Sequence, residues 1–365
     1  GDAYLLAGPP GVGKEEAARV FAAAVLCPNS CARPPYASSP EGPRWGQCGT
    51  CTVCGRVLRG IHPDVVILEP EGYTYPIEVI RDAVAQAALS PMEGARRVMI
   101  VEEADRIVER SQNALLKALE EPNPSVTWVL VTSMLQPVLP TILSRCQVVE
   151  FVPVPEEALS AIVRTRGLLS DEEADLVVRA ARGDLERALA LVGNESARAL
   201  RRLAIDTAIA GASAPDSRRA LLAAGRVRAA ATAQRDAREA AAAAELAELE
   251  EALGTGRGSG GVRRRLGERQ KRAVRRAETE VFVEFCSWLA QAFRDLAALS
   301  AGAGPDAISS PDRAADLSTA AALRPTAHWL QLAEEALGGQ VAIRENAQPA
   351  LVVEALLLAP VVLVS

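Results

Sequence analysis

Short apolar runs alternate with amphipathic stretches over the first 150 residues. The apolar runs are four or five residues long and rich in β-branched side chains, which is typical of strands in a parallel sheet covered by helices on both faces. The pattern therefore predicts an α/β fold with a five-stranded sheet. The predicted strands are Tyr4–Ala7, Val65–Leu68, Arg97–Val101, Trp128–Val131 and Val148–Phe151, and the predicted helices between them are Glu15–Leu26, Ile77–Leu89 and Ser111–Glu120.

The strand pattern stops at Pro153–Pro155, and the rest of the chain is predicted to be helical. Residues 156–192 form a small group of helices in this interpretation. Two long helices on either side of a glycine-rich break then predict an αα-hairpin. The later elements are predicted at Arg218–Leu253, Gly254–Gly261 (the break), Val262–Leu299, Ala320–Leu337 and Ala350–Leu358.

Composition narrows the class of protein. The 365 residues are enough for two or three domains. The formal net charge of -6 provides no overall positive field that would attract the chain to DNA. No apolar run reaches the roughly 18 residues of a membrane span. The sequence begins without Met, so we expect that its true start is missing.

A glycine-rich loop, Gly8–Lys14, lies between the first predicted strand and the first predicted helix. Its sequence matches a phosphate-binding loop. In such a loop the glycines, here Gly8, Gly11 and Gly13, let backbone N–H groups approach phosphates, and the lysine, Lys14, reaches the β- and γ-oxygens. The setting favours a P-loop over a chance glycine-rich turn.

Two residues near this loop differ from the pattern of P-loop ATPases. Glu15 stands where a Ser or Thr hydroxyl would hold Mg²⁺, and it adds negative charge beside a triphosphate. Glu102 follows the third strand in place of the metal-binding Asp, and Glu103 follows as the candidate for activating water. These differences argue against productive binding of MgATP. The alternative for Glu102 and Glu103 is that they, with Asp105, form a solvated acidic strand end.

Five of the seven cysteines lie between Cys27 and Cys54. Cys48, Cys51 and Cys54 are separated by two residues each, which lets neighbouring thiolates share one Zn²⁺. Cys27 or Cys31 is the candidate fourth ligand. Four protein ligands leave no open position, so we expect a structural zinc rather than a catalytic one. The alternative is a cluster of reduced, metal-free thiols.

Several motifs together resemble bacterial clamp-loader subunits of the AAA+ class. They are Asn113–Pro122, Leu139–Gln147, Ile61–Asp64 and the cysteine pattern after the P-loop helix, and the resemblance covers Leu5–Phe151. It implies a AAA+ module, a small helical lid and a helical collar that joins five subunits into a ring. The implied boundaries are 1–152 for the module with a zinc-binding insertion at 27–54, 153–195 for the lid, and 196–365 for the collar with an Ala/Arg-rich helical insertion at about 218–276.

Two types of subunit in this family compete. Gamma/tau motor subunits carry Lys-Thr or Lys-Ser in the P-loop and Asp-Glu after the third strand, and this chain differs at Glu15 and Glu102. Its later segments Gln270–Arg276, Phe285–Asp295 and Asn346–Leu358 resemble the collar of delta-prime subunits. The resemblance therefore favours the delta-prime type.

The resemblance also implies a role for Arg145, which lies in a Ser-Arg-Cys motif. In this family that arginine acts in trans as a finger on the ATP bound by a neighbouring subunit. A planar, permanently charged guanidinium suits a γ-phosphate whose charge must be stabilised during transfer. The alternative is an arginine paired with a local carboxylate.

Two further nucleotide-sensing positions are implied by the resemblance. Sensor 1 falls at Thr132 or Ser133. In the sensor 2 region Glu186 stands where a motor subunit has Arg, and Arg187 follows it. One residue of helix is a rotation of about 100°, so we expect that Arg187 does not replace the missing arginine.

Taken together, these features predict a cytoplasmic delta-prime-type subunit of a DNA polymerase III clamp loader with little ATPase activity of its own. The implied partners are gamma/tau and delta subunits, the sliding clamp and, through the complex, primed DNA. The alternatives are a gamma/tau-type ATPase motor and a zinc-dependent nucleic-acid-binding protein. The basic run Arg263–Arg276 either contacts DNA phosphates or, as we favour, is the solvated face of a helix.

Overall fold

The first part of the chain is a parallel sheet. The structure, a computed structural model, describes residues 2–29, 46–70, 74–121, 123–213, 216–253 and 259–362. Within these residues the strands are β1 (Asp2–Ala7), β2 (Val65–Leu68), β3 (Arg97–Val101), β4 (Val126–Thr132) and β5 (Gln147–Glu150). Their order across the sheet is β2-β3-β4-β1-β5, and every neighbouring pair is parallel. The predicted five-stranded parallel sheet is thus confirmed.

Helices cover both faces of this sheet. They are α1 (Lys14–Leu26), α2 (Thr52–Leu58), α3 (Ile77–Ala87), α4 (Glu109–Glu120) and α5 (Pro140–Leu143). Successive side chains of a strand point to opposite faces. In β3, Val98 and Ile100 join the core under α1 and α2, and Met99 and Val101 join the core under α3, α4 and α5. The continuous apolar sequence of the central strands follows from burial on both sides.

The second part of the chain is helical. The chain divides into two compact units, Gly1–Pro153 and Val154–Ser365. The second unit contains α6 (Glu156–Thr165), α7 (Asp171–Ala181), α8 (Leu185–Gly193), α9 (Glu195–Ser213), α10 (Ser217–Leu253), α11 (Ser259–Ser300), α12 (Ala314–Ala321), α13 (Thr326–Arg344) and α14 (Pro349–Val362). One core cluster extends from Leu159 to Leu357. The division of this unit into a lid at 153–195 and a collar at 196–365 stays a prediction.

Some predicted boundaries differ from the structure. The helix predicted at Ala320–Leu337 is two helices, because Pro325 disfavours helical backbone at the residue before it and stands as the N-cap of α13. The helix predicted from Val262 begins earlier, at Ser259, and residues 254–258 of the predicted break lie outside the described residues. The short helices α2 and α5 were not predicted, since seven and four residues are too few to show a helical period.

The two longest helices, α10 and α11, pack against each other as the predicted hairpin. The first half of α10 contributes Ala220, Ala224, Val227 and Ala231 to the core of its unit, at the three- and four-residue spacing of one helix face. The insertion predicted at about 218–276 stays a prediction. Among the described residues, these and the other helices lack the combination of length and apolar character needed to cross a membrane.

Candidate nucleotide site and metal centre

The predicted P-loop connects the end of β1 to the start of α1. Gly11 and Gly13 have φ values of 76° and 86°, in the left-handed region that favours glycine, and Gly13 is the N-cap of α1. Gly8 lies against the end of β5, where an added Cβ would be 2.2 Å from the carbonyl oxygen of Phe151. The glycines are therefore required by the local geometry of the loop itself.

Lys14 is fully buried at the first position of α1. Its Nζ donates a hydrogen bond of 2.6 Å to the carbonyl oxygen of Pro9, so the side chain folds back over its own loop. Glu15 and Glu16 occupy the same first turn. Their charges stabilise a helix N-terminus but oppose a phosphate at that end of the helix.

The residue that replaces the expected metal ligand is paired with a cation. Glu102 is 4% exposed, and its Oε1 lies 2.9 Å from Nη2 of Arg19, which is on α1. The Tyr75 hydroxyl lies 2.6 Å from the Glu102 carbonyl oxygen and 2.8 Å from that of Leu68, which ties the ends of β3 and β2 together. A guanidinium thus contacts the carboxylate that would contact Mg²⁺. No local signal in the sequence indicates Arg19, because its partner is 83 positions away.

Glu103, the candidate for activating water, has a left-handed backbone at φ 50°. This conformation is uncommon for a residue other than glycine. It starts the short 3₁₀ turn Ala104–Arg106, and the carboxylate lies 2.7 Å from Nε of Arg106. Both acidic residues after β3 are therefore close to arginines rather than being a bare solvated strand end.

Both sensor 1 candidates contact one carboxylate. The Thr132 hydroxyl lies 2.7 Å from Oδ1 of Asp105, and the backbone N–H of Ser133 donates to the same oxygen at 3.2 Å. Thr132 is 1% exposed, and its hydroxyl also accepts from the N–H of Met134. Asp105 therefore joins the turn after β3 to the end of β4. Its partners lie 27 and 28 positions away, so no local pattern in the sequence indicates this role of Asp105.

Arg145 follows α5 and is partly exposed, at 34% of its side chain. Its Nη1 donates to the Thr141 carbonyl oxygen at 2.9 Å and to the Ser144 hydroxyl at 3.1 Å. Its Nη2 lies 2.7 Å from Oε1 of Glu120, the last residue of α4. In the single chain, Arg145 is therefore paired with a local carboxylate, as in the alternative interpretation. The role of Arg145 in trans stays a prediction.

The segment before Arg145 is fixed by one buried amide, Gln112 of α4. Its Nε2 donates to the carbonyl oxygens of Ile107 and Pro137 at 2.7 and 2.8 Å, and its Oε1 accepts from the N–H of Leu139 at 2.8 Å. The neighbouring Ile142 is 1% exposed. Helix α4 therefore holds both the base of the Arg145 segment, through Gln112, and the guanidinium, through its C-terminal residue.

Arg187 of the second unit is engaged within that unit. Its Nε and Nη2 lie 2.9 and 3.2 Å from the two carboxylate oxygens of Glu284, and its guanidinium lies 4.6 Å from the ring centre of Trp288. Asp184 caps the start of α8 by accepting from the Arg187 backbone N–H. These contacts agree with the expectation that Arg187 does not serve as a sensor, which stays a prediction.

Ile61–Asp64 supports the module from the loop after α2. The buried Asp64 carboxylate accepts hydrogen bonds from the backbone N–H groups of Met92, Glu93 and Gly94 at 2.5, 2.8 and 2.8 Å. Burial alone would raise the pKa of Asp64, but these three hydrogen bonds lower its pKa below the ordinary value. The segment thus anchors the loop before β3.

Four cysteine sulfurs meet in one cluster. Cys27 is the C-cap of α1, Cys51 is the N-cap of α2, Cys54 lies in the first turn of α2, and Cys48 precedes it. All four sulfurs lie within 4.8 Å of one another, with separations of 3.6 Å for Cys27–Cys48, 3.9 Å for Cys27–Cys51 and 4.0 Å for Cys48–Cys54. Cys31 lies outside the described residues.

This spacing fits a tetrahedral metal ion. Zn–S bonds of about 2.3 Å in a tetrahedron separate the sulfurs by about 3.8 Å. Cys54 and Cys27 are buried against the sheet, and burial raises the pKa of the Cys54 thiol to about 12. Hydrogen bonds from the backbone N–H groups of Thr50 and Cys51 lower the pKa of Cys48 to about 5. The cluster could hold a metal ion such as zinc, with Cys27 as the fourth ligand.

The part of the chain that contains the P-loop and the cysteine cluster is similar to known proteins. The family model described as "DNA polymerase III, delta subunit" matches residues 1–155. The chain is 38% identical over 193 residues to the DNA polymerase III subunit delta' of Pseudomonas aeruginosa, covering 52% of each chain. It is 32% identical over 157 residues to the delta' subunit of Bacillus subtilis, covering 43% of this chain and 44% of that one.

A tau subunit is also similar to this chain, at a lower identity. The DNA polymerase III subunit tau of Bacillus subtilis is 30% identical over 195 residues, covering 52% of this chain and 32% of that one. This chain spans about half the length of the curated delta' relatives that it matches.

Proposed function

We propose a function for the whole chain from the premise that residues 1–155 belong to the DNA polymerase III delta-prime family. The chain is the stator subunit of a clamp loader. It works with gamma/tau and delta subunits in the cytoplasm and supports ATP-dependent loading of the sliding clamp onto primed DNA. The observation that carries this proposal is the ion pair between Arg19 and Glu102 in the chain's own P-loop site.

This ion pair separates the stator from the motor alternative. A motor needs a carboxylate after β3 that is available to Mg²⁺, and in this chain that carboxylate is buried against a guanidinium. Glu15 replaces the hydroxyl ligand, and Lys14 is hydrogen-bonded to its own loop. The same site therefore departs from the motor pattern at two positions, Glu15 and Glu102. We infer that the isolated chain hydrolyses little or no ATP.

Arg145 supplies what the stator contributes to its neighbour. The residue is partly exposed on a short segment that Gln112 and Ile142 hold rigidly, which suits a side chain that must reach another subunit in a defined position. A finger of this type accelerates phosphoryl transfer at the site it serves by about 10³-fold or more. The Ser-Arg-Cys motif of this chain resembles that of clamp-loader subunits in which the arginine acts in trans, and we assign the same role to Arg145.

The cysteine cluster has a structural role in this proposal. A zinc ion bound by Cys27, Cys48, Cys51 and Cys54 would have no open coordination position, so it supplies cross-linking and no catalysis. The ion joins the end of α1 to the start of α2 across the segment 28–47. It thereby fixes the far end of the helix that begins at the P-loop.

The test is ATP hydrolysis by a reconstituted clamp loader with clamp and primed DNA. We expect the isolated chain to be inactive, and Arg145→Ala to abolish hydrolysis at the neighbouring site. Arg110→Ala is the matched control, since Arg110 is an exposed arginine on α4 of the same unit. Hydrolysis by the isolated chain, together with an unaffected Arg145→Ala complex, would assign the chain to the motors instead.

A further inference from the structure

The contacts of Arg145 suggest how its action is controlled. The guanidinium does not extend away from the protein. It folds back onto the carbonyl oxygen of Thr141, four residues earlier, and onto the carboxylate of Glu120. A finger that reaches a phosphate on another subunit must leave at least part of this arrangement. The resting position is therefore a docked one.

We propose that Glu120 is a gating residue that holds Arg145 docked until a neighbouring subunit presents a nucleoside triphosphate. This inference rests on the proposed function, because it assigns the regulation of the same arginine. Arg145 then exchanges one anionic partner, the Glu120 carboxylate, for another, the terminal phosphate of the neighbour's nucleotide.

The exposure of the pair makes the exchange possible. The side chains of Arg145 and Glu120 are 34% and 47% exposed, so water screens their attraction and can solvate both groups when they separate. Glu120 is the last residue of α4, where its side chain can turn towards solvent without disturbing the core. A buried ion pair would not release in this way, because separation would leave uncompensated charges inside the protein.

The charge of the partner gives the gate its selectivity. A carboxylate carries one negative charge, and a guanidinium binds phosphate oxygens through two parallel hydrogen bonds at least as well. A terminal γ-phosphate close to Arg145 competes with Glu120, and a neighbour that holds only a diphosphate lacks that competing group. Glu120 therefore biases the finger towards neighbours that hold a triphosphate.

The backbone of the segment does not have to move in this exchange. Gln112 and Ile142 hold the residues before Arg145 in place whether or not the ion pair is formed. Only side-chain torsions of Arg145 and Glu120 change. Removing the Glu120 charge should therefore change the concentration of ATP that is required, with little effect on folding.

The experiment compares Glu120→Gln with wild type in the reconstituted clamp loader, over a range of ATP concentrations. Because an exposed ion pair is weak, we expect the half-saturating ATP concentration to fall by about two- to fivefold. The difference should shrink as salt is raised, since salt screens an exposed pair. Glu121→Gln is the matched control, because it removes an adjacent exposed carboxylate for which the structure gives no contact with Arg145.

The double variant Glu120→Gln/Arg145→Ala separates this inference from the proposed function. If Glu120 acts through Arg145, the double variant behaves like Arg145→Ala alone. If Arg145→Ala is severe but Glu120→Gln leaves the ATP dependence unchanged or raises the required concentration, the gate is refuted and the stator assignment stands. If Arg145→Ala has no effect, both proposals are refuted.

Discussion

Two adjacent glycines in the middle of α13 allow a test of how closely the last two helices approach. A Cβ added at Gly339 would lie 2.6 Å from Cδ1 of Leu356 and 3.1 Å from Cγ1 of Val352, both on α14. A Cβ added at Gly338 would have no atom within 4 Å. The two positions therefore differ in tertiary packing but share the same helical context.

The difference between Gly338→Ala and Gly339→Ala isolates the packing contribution. Alanine replaces glycine within a helix with a gain of about 0.4–1 kcal/mol in the free energy of unfolding, and this gain applies to both positions. Overpacking at a close contact costs about 1–3 kcal/mol and applies only at Gly339. We expect Gly338→Ala to be slightly stabilised and Gly339→Ala to be about 1 kcal/mol less stable than it. This is the lower end of the range, because the nearest atom, Cδ1 of Leu356, is the end of a flexible side chain that can shift.

The assay is urea denaturation of the full chain, followed by helical circular dichroism. The two variants are compared by the midpoint of the transition that unfolds the helical unit. Thermal unfolding is a second measurement, in which a difference of 1 kcal/mol shifts the melting temperature by about 2–4 °C for a unit of this size. Equal midpoints for the two variants would refute the close approach of α13 and α14 at Gly339. A stabilised Gly339→Ala would refute it as well.

Two further predictions concern the first unit. Asp64→Asn should lower the free energy of unfolding by about 2 kcal/mol near neutral pH, because hydrogen bonds to a charged acceptor are lost; exposed Asp82→Asn is the control. The folded-state pKa of Asp64 is lowered, so its contribution is present above about pH 4 and lost as the pH falls below that. The difference between wild type and Asp64→Asn, measured by urea denaturation, should therefore narrow in acid, and a constant difference would contradict this reasoning. Zinc analysis should find about one ion per chain in wild type and in Cys146→Ser, and a chelator should remove the ion much more readily from Cys54→Ser. Equal resistance to the chelator in Cys54→Ser and wild type would contradict a four-cysteine site.

Much of the first unit could be predicted from the sequence because its signals are local. The boundaries of β2 and β3 were predicted at the residues where they occur, since each is a short apolar run that ends at an acidic residue, Glu69 or Glu102. The P-loop was predicted from the spacing of its glycines, and the structure gives Gly11 and Gly13 the left-handed backbone that glycine allows. Cysteine spacing likewise predicted a four-sulfur cluster.

The partners of the charged site residues could not be predicted, because they come from distant parts of the chain. Arg19 and Glu102 are 83 positions apart, and they meet only because α1 packs over the carboxyl end of β3. Glu120 and Arg145 meet because α4 and α5 lie together on the opposite face of the sheet. Cys27 joins the other three sulfurs because α1 ends there, and whether Cys31 competes with it stays open, since Cys31 lies outside the described residues.

The class of fold and the residue types at the candidate site can therefore be read from the amino-acid sequence. Propensity, period and motif spacing act over a few residues, and those scales are visible in a single chain. Which charged side chains are already paired is visible only in the folded chain. Pairing depends on the distances between helices and strands that are far apart in the sequence. Packing of the helices on the two faces of the sheet sets these distances, and it places a guanidinium beside Glu102 and a carboxylate beside Arg145.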